Sequence, residues 1–494
     1  MMKLYNYYES LIGGNTMYDI CIIGAGVVGM NIARELAKYN VQVCVLEKAE
    51  DVSCGCSKAN SGIVHGGYSD KPGTLKAKVC VKGNRMYQKL NEELNFGYAE
   101  TGSLVVAFSQ EEVSGLEKLM AMGVENGVGG LFMMTGEEVR KEEPHLSTEI
   151  VAALKCKNAG VVSPYEFVIA LAENAVENGV VLKLNSKVVK IDNKETYFAV
   201  HTESEVVEAK YVINSAGIYS DEIAKMVGIE DYKITPRRGQ YVILGKEQNY
   251  LTNSVIFQVP TALGKGILVT TTYHGNLMIG PNAEDITEKN DLGTTLEGLK
   301  YIVDTAKKSV PDIDMRKALR SFSGNRPFAD KKDFIIENSY YKNFINLIGI
   351  DSPGLTSSPA IALEVVEILK NAGLDFVAKE SFNPYRKAII IKKDDNFKGS
   401  IDAVDPKEKF ICRCERVTET EIVDAMQRGI EVKSLDAMKR RTRAGMGTCQ
   451  GFFCGPRVKH VMAKELGLAE EDIKQHNLKE DQGLRIDRKD LVKL

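Results

Sequence analysis

Four cysteines late in the chain fall into two close pairs: Cys412 and Cys414 in "ICRCERVTETEIVDAM", then Cys449 and Cys454 in "GMGTCQGFFCGP". Thiolates are soft anionic ligands, and two such pairs brought together by folding make a metal site. Zinc is the ordinary occupant of four cysteines, yet structural zinc takes pairs two to four residues apart, and Cys-x-Cys is tighter. Arg413, Lys439, Arg440, Arg441 and Arg443 cluster in sequence around these ligands, which suits a centre of net negative charge. Gly445, Gly447 and Gly451 let backbone N–H groups approach the sulfurs, and such contacts raise a reduction potential. A second Cys-x-Cys, Cys54 and Cys56 in "DVSCGCSK", has no further cysteine pair nearby and reads as two small packing residues in a tight loop.

The second constellation is "YDICIIGAGVVGMNIARELAKYNVQVCVLEK". Ile20 to Ile23 form the continuous apolar run of a buried parallel strand. Gly24, Gly26 and Gly29 follow as G-x-G-x-x-G where that strand turns into a helix. The first makes the tight turn, the second admits a pyrophosphate to the backbone, and the third lets helix and strand pack closely. The next strand ends at Glu47, 23 positions after Gly24, where a carboxylate accepts both ribose hydroxyls and disfavours a 2′-phosphate. The motif predicts a bound dinucleotide.

Three later elements must complete that site, and they favour a flavin. "SKANSGIVHGG" (57–67) supplies small residues and backbone donors; "YVINSAG" (211–217) is a second buried strand that permits close backbone approach. "FINLIGIDSPGLTSSPAIALEVVEIL" (344–369) is strand, Gly/Pro turn and helix, whose N-terminal dipole suits an anionic reduced ring. No second G-x-G-x-x-G occurs, so a separate NAD site is not expected.

The bulk composition is that of an ordinary globular chain. Its 494 residues, 44% hydrophobic and 27% charged, suit roughly three domains of about 150 residues. A formal net charge of −3 gives no push toward nucleic acid or anionic membrane. Ten cysteines are too dilute for a disulfide framework and indicate a reducing, cytoplasmic compartment. "MMKLYNYYESLIGGNT" lacks the apolar core of a signal peptide and is expected to be a disordered extension. The longest apolar stretches are too short to span a bilayer, so any membrane contact is peripheral, through a partner.

Residues 17 to about 390 resemble the D-amino-acid-oxidase/glycerol-3-phosphate-dehydrogenase superfamily of FAD enzymes. The ordered motifs "GAGVVG", "SKANSGIVHGGY", "INSAGIYSDEIA", "PRRGQY" and "GIDSPGLTSSPAIA" carry the resemblance. The cysteine-rich end, with "DAMKRRTRAGMGTCQG", resembles the bacterioferritin-associated-ferredoxin-like [2Fe-2S] domain. These resemblances imply an α/β fold: a Rossmann-like FAD-binding domain (17–102, 146–233, 321–375) interleaved with an α+β, antiparallel-sheet substrate domain (103–145, 234–320). A linker (376–407), a small helical [2Fe-2S] domain (408–470) and a charged tail (471–494), docked or loose, would follow. FAD is then expected to meet Gly24, Gly26, Gly29, Glu47, Ser57, Asn60, Ser61, Gly62, Val188, Ala216, Gly217, Gly349, Gly354, Leu355 and Thr356. Cys412, Cys414, Cys449 and Cys454 would hold the cluster.

For the substrate, the resemblance places His65 of "SGIVHGG" against the flavin, where an imidazole titrating near neutrality suits proton transfer. Arg326 of "SGNRPFAD" and Arg238 of "PRRGQY", with Arg237 ranked below them, are candidates to grip a small anionic substrate. Lys265 is a weaker candidate and His274 is assigned to a hairpin turn. A flavin takes electrons in pairs and a [2Fe-2S] cluster passes them singly, so the pairing implies a dehydrogenase serving an external acceptor. The combination resembles the anaerobic-type FAD glycerol-3-phosphate dehydrogenases. These imply oxidation of sn-glycerol 3-phosphate to dihydroxyacetone phosphate by hydride transfer to flavin N5. Electrons would then leave to a separate electron-accepting flavoprotein or iron–sulfur subunit. Competing readings are an L-2-hydroxyglutarate or other 2-hydroxy or amino acid dehydrogenase, and a non-enzymatic electron-transfer module.

Overall fold

The computed structural model describes residues 17–260, 266–393, 396–476 and 483–494; the extension at 1–16 and Lys265 lie outside them. The apolar run Tyr18–Ile23 is the centre of an eight-stranded sheet, paired in parallel with Val206–Asn214 on one side and Val43–Leu46 on the other. Phe344–Ile348 joins in parallel beyond Val206–Asn214, and Val181–Lys183 beyond Val43–Leu46. Ile20, Cys21 and Ile22 are fully buried, as an all-apolar strand requires: Ile20 and Ile22 pack with helix residues such as Ile32 and Phe167 on one face, and Cys21 with strand residues such as Val188 and Val200 on the other. Register sets the function: Ile23 stands level with both Leu46 and Asn214, and Asn214 with Asn346. The chain therefore leaves several strands at one edge, and delivers Gly24, Glu47, Ser215 and Gly349 to the same place.

A nine-stranded sheet stands over that edge. Ile234–Leu244 and Ala318–Ala329 pair antiparallel along their whole length, Ile234 opposite Ala329 and Leu244 opposite Ala318. The remaining strands include Ser103–Ala107, Leu131–Thr135 and Ala152–Cys156, so this sheet draws on two separated stretches of sequence. It is antiparallel except where Val255–Gln258 lies parallel to Ser103–Ala107. Helix Leu296–Ser309 buries Leu299, Ile302, Val303 and Ala306 on it, one apolar stripe at helical spacing.

The C-terminal region has its own core. A short hairpin, Phe410–Cys412 with Val417–Thr418, leads into helices Glu419–Met426, Leu435–Thr442 and Gly455–Leu466, which bury Ile422, Met438 and Met462 together. Thr418 and Glu421 close a capping box at the first of these. The connecting segment before it is packed down: the buried Arg386 pairs with Glu173 at 2.5 Å, and Asn383 accepts hydrogen bonds from Asn174 and Asn178 through its carbonyl. The charged tail is docked where it is described. Its Leu491 is fully buried against the second sheet, and Arg488 donates to the Ala318 carbonyl. Burying that leucine stabilises by about 1.5–3 kcal/mol. Among the described residues no helix is long and apolar enough to cross a membrane.

Helix Leu435–Thr442 holds the C-terminal region against the first sheet. Asp51 is fully buried, and its carboxylate accepts from Arg441 Nη1 and Nη2 at 2.7 Å and from Arg440 Nη2 at 2.6 Å. Ser434, at the N-cap, donates to Glu50 at 2.8 Å. Basic residues expected to balance the cysteine centre are thus spent on docking. Burial alone would raise the Asp51 pKa, but Arg441 and Arg440 overcome it and hold the group at about 2.

Asp51→Asn leaves two guanidinium groups buried without a counter-charge and should cost about 3–5 kcal/mol. The folded-state pKa of Asp51 lies below the unfolded one, so its stabilisation is fully present above about pH 4 and is lost as pH falls toward 2. Denaturant titrations across that window should show wild type and variant converging in acid; a constant gap between them would contradict this.

Candidate functional site

Between the strand ends of the first sheet and the face of the second lies a cavity of about 1130 Å³, larger than the 300–1,000 Å³ usual for a single small ligand. Its floor is the glycine turn. Gly24 has φ +105°, and a Cβ there would lie 2.7 Å from the Ser215 carbonyl oxygen. A Cβ on Gly29 would lie 2.0 Å from the Gly24 oxygen, so helix Val27–Leu36 packs this closely only because position 29 is glycine. Gly26 is different: its Cβ would meet only Ser57 Oγ, at 3.2 Å, leaving backbone open to the cavity. Ser57 Oγ accepts from the Val27 amide at 2.9 Å, tying the 51–61 loop to the helix start.

Glu47 lines the cavity, its two oxygens fixed by the Ala25 and Ala49 amides at 2.8 and 2.9 Å. Burial pushes its pKa up against those two donors. Each oxygen retains a lone pair for a sugar hydroxyl. Asn60, Ser61, Val188, Ala216 and Gly217 line the same space, as do Gly354 and Leu355 at the N-terminus of helix Gly354–Asn371. Gly29, Gly62, Gly349 and Thr356 stand behind the lining. Gly62 (φ +64°) brings its loop against the Val162 carbonyl, and Thr356 Oγ1 donates to Ile63 O and accepts from the His65 amide. Those four shape the wall rather than face the space.

At the other end His65 lies over Phe257, with ring centroids 5.9 Å apart and an interplanar angle of 29°. Arg326 faces the cavity from strand Ala318–Ala329, directly opposite Arg237. It donates only to backbone, to Asn282 O at 3.0 Å and Arg237 O at 3.4 Å, and makes no ion pair among the described residues. A guanidinium held by carbonyls keeps further N–H donors for an anion. Arg237 lines the cavity but is bound bidentate by Asp285. The expectation for Arg238 is corrected: its guanidinium is bound by Glu284 and Asp291 at 2.9 and 2.8 Å and does not line the cavity. Neighbours on a strand point to opposite faces, so Arg237 and Arg238 cannot both look inward. His274 sits in its turn, held by Glu166.

Other groups in the cavity had weak sequence signals. Lys76 and Asp351 form an ion pair at 2.5 Å on its wall; Asp351 adjoins the Gly/Pro turn, but nothing marks Lys76. Tyr241 is stacked on Phe322. Cys54 and Cys56 both line the cavity, more than packing residues would. Burial pushes the Cys56 thiol to about 11, with the Arg326 charge pulling the other way, and Cys54 Sγ accepts from Arg440 at 3.6 Å.

The four C-terminal cysteines come together as two pairs. Cys412 hydrogen-bonds Cys454, which draws the Cys412 thiol down to about 6, and Cys414 hydrogen-bonds Cys449. Four thiols brought together in this way are a soft donor set that would suit the two irons of a [2Fe-2S] cluster. Backbone amides of Gly445 and Glu415 reach Cys412, and those of Gly451 and Phe453 reach Cys449, the donors that a sulfur-rich cluster uses. Of the basic residues, Lys439 stays near Cys454; burial, then Arg320, lowers its pKa to about 8.

Residues 19–368 match the family model DAO, FAD dependent oxidoreductase, and residues 410–464 match the BFD-like [2Fe-2S] binding domain. The chain is 48% identical over 463 residues to a glycerol 3-phosphate dehydrogenase of Caloramator mitchellensis, covering 93% of this chain and 96% of that one. It is 30% identical over 399 residues to an L-2-hydroxyglutarate dehydrogenase of Indibacter alkaliphilus, covering 71% and 98%. The dithionite-reduced, FAD-bound L-α-glycerophosphate oxidase from Mycoplasma pneumoniae superposes with a TM-score of 0.72 at 32% identity, covering 75% of this chain and 98% of that one. The cavity falls within the FAD dependent oxidoreductase match and the four cysteines within the [2Fe-2S] binding match.

Gly29→Val should lower the melting temperature and the flavin content together, because its side chain collides with backbone. Gly26→Ala should keep the melting temperature within a few degrees and lose flavin affinity. Equal melting temperatures for the two would contradict the roles given to these glycines.

Proposed function

The chain belongs to the DAO family of FAD-dependent oxidoreductases and carries a BFD-like [2Fe-2S] domain behind it; from that premise we propose that it oxidises sn-glycerol 3-phosphate to dihydroxyacetone phosphate for an acceptor other than NAD. The observation that carries this reading is the 48% identity to a glycerol 3-phosphate dehydrogenase across both halves of the chain. The L-2-hydroxyglutarate dehydrogenase, by contrast, is 30% identical and covers 71%. When bound, FAD supplies a two-electron acceptor and the cluster, on Cys412, Cys454, Cys414 and Cys449, a one-electron relay.

The protein's own groups do the rest. Arg326 grips the phosphate with donors already aimed by the Asn282 and Arg237 carbonyls, so little side-chain freedom is lost on binding. His65, its backbone tied to Thr356 and its ring laid on Phe257, takes the proton of the substrate hydroxyl. Tyr241, Phe257 and Leu268 wall that end and exclude water. Cluster and flavin share one chain because electrons arriving in pairs must leave singly, to an electron-accepting flavoprotein or iron–sulfur protein.

Anaerobic mixing of the holoenzyme with glycerol 3-phosphate should bleach the flavin, and NADH should not. Bleaching by L-2-hydroxyglutarate alone would replace the phosphate with a carboxylate and overturn the substrate assignment. Arg326→Ala should cost about 2–5 kcal/mol in kcat/KM, mostly through KM, read by steady-state assay with a dye acceptor. An unchanged KM would remove Arg326 from the site.

A further inference from the structure

Inside the Cys449-x4-Cys454 loop two consecutive phenylalanines stand in solvent. Phe452 is 79% and Phe453 69% exposed, their rings edge-on at 5.2 Å. The domain has a complete apolar core without them, so folding does not account for their position. Contiguous exposed aromatics mark a contact surface, and paired aromatic anchors dominate the energy of such contacts.

Two further features decide what the surface meets. The cysteine pairs are unequal: Cys412 and Cys454 are buried, whereas Cys414 is exposed and Cys449 half-buried. Cys449 of the outer pair stands three positions before Phe452 and its partner Cys414 is exposed, so a group seated on the phenylalanines would be next to the outer cysteines. The surrounding charge is positive. Arg413, between Cys412 and Cys414, and Arg457, in the first turn after Cys454, are exposed and make no ion pair among the described residues. The adjacent acid, Glu415, is already neutralised by Arg443 and Lys246.

We propose that this face, with Phe452 and Phe453 as anchors and Arg413 and Arg457 as rim, docks a one-electron carrier protein whose redox edge is ringed by carboxylates. The proposal rests on the reading that the cluster relays the electrons. Each encounter oxidises the cluster by one electron and reduces the carrier by one, so two carriers are reduced for each alcohol oxidised, and the alcohol's two protons pass to solvent. Complementary charge steers the encounter and the aromatics hold it.

The test uses the holoenzyme, glycerol 3-phosphate and two probes: an acidic b-type cytochrome, and a lysine-rich c-type cytochrome of higher potential. The acidic cytochrome should be reduced faster despite its smaller driving force, and salt should slow it. Phe452→Ser/Phe453→Ser should cut its kcat/KM by roughly 30-fold, the scale of a hot-spot loss, with iron and sulfide content and flavin bleaching unchanged. Arg457→Glu should flatten the salt dependence. Faster reduction of the basic cytochrome, a double variant matching wild type, or electrons passing only to a small quinone would each overturn the docking proposal. Absence of flavin bleaching would instead overturn the functional reading beneath it.

Discussion

A buried carboxylate can exist only if its charge is answered, and Asp51 is answered from the far end of the chain. It lies in the loop that runs from Glu47, on the wall of the cavity, to Ser57, whose hydroxyl accepts from the start of the helix after the glycine turn. Arg440 and Arg441 reach it from the helix between Cys414 and Cys449. The loop that shapes the flavin site is therefore also the seat of the iron–sulfur domain. The interaction is costly to form and costlier to leave half-made, which makes it a specific latch. Apolar packing alone would tolerate a range of orientations; two guanidinium forks around one carboxylate tolerate very few.

Local signals in the sequence were enough to read the dinucleotide turn, because the apolar strand, the three glycines and Glu47 are specified within thirty residues and act within that distance. The cysteine pairs are equally local in sequence, but the fold joins them crosswise, Cys412 to Cys454 and Cys414 to Cys449, which spacing alone does not specify. Arg237 and Arg238, adjacent on one strand, are indistinguishable as cavity residues until the register is known. The pairing of Arg237 with Arg326, and of Arg238 with Asn325, settles which one faces inward. The basic run 439–443 has the cysteines for neighbours in sequence, whereas the partner of Arg441 stands 390 positions away. Nothing short of the fold reveals such a contact. Lys76 was invisible for the same reason, being a lysine on an ordinary helix until Asp351 is brought beside it.

The Mycoplasma pneumoniae oxidase, nearly all of whose chain aligns, has counterparts for three quarters of this one. What lies beyond that shared part is integrated with it. The connecting segment is pinned through Arg386, the cluster region through Asp51, and the final helix through Leu491 on the second sheet. Each anchor lands on a different part of the flavoprotein body.

Arg443 carries this furthest. From the end of helix Leu435–Thr442 it donates to Glu415 within its own domain, to the Tyr165 hydroxyl on a helix of the first sheet's side, and to Asn276 in the second sheet. One side chain thus ties the cluster domain to both sheets at once, so losing it would loosen three contacts together rather than one.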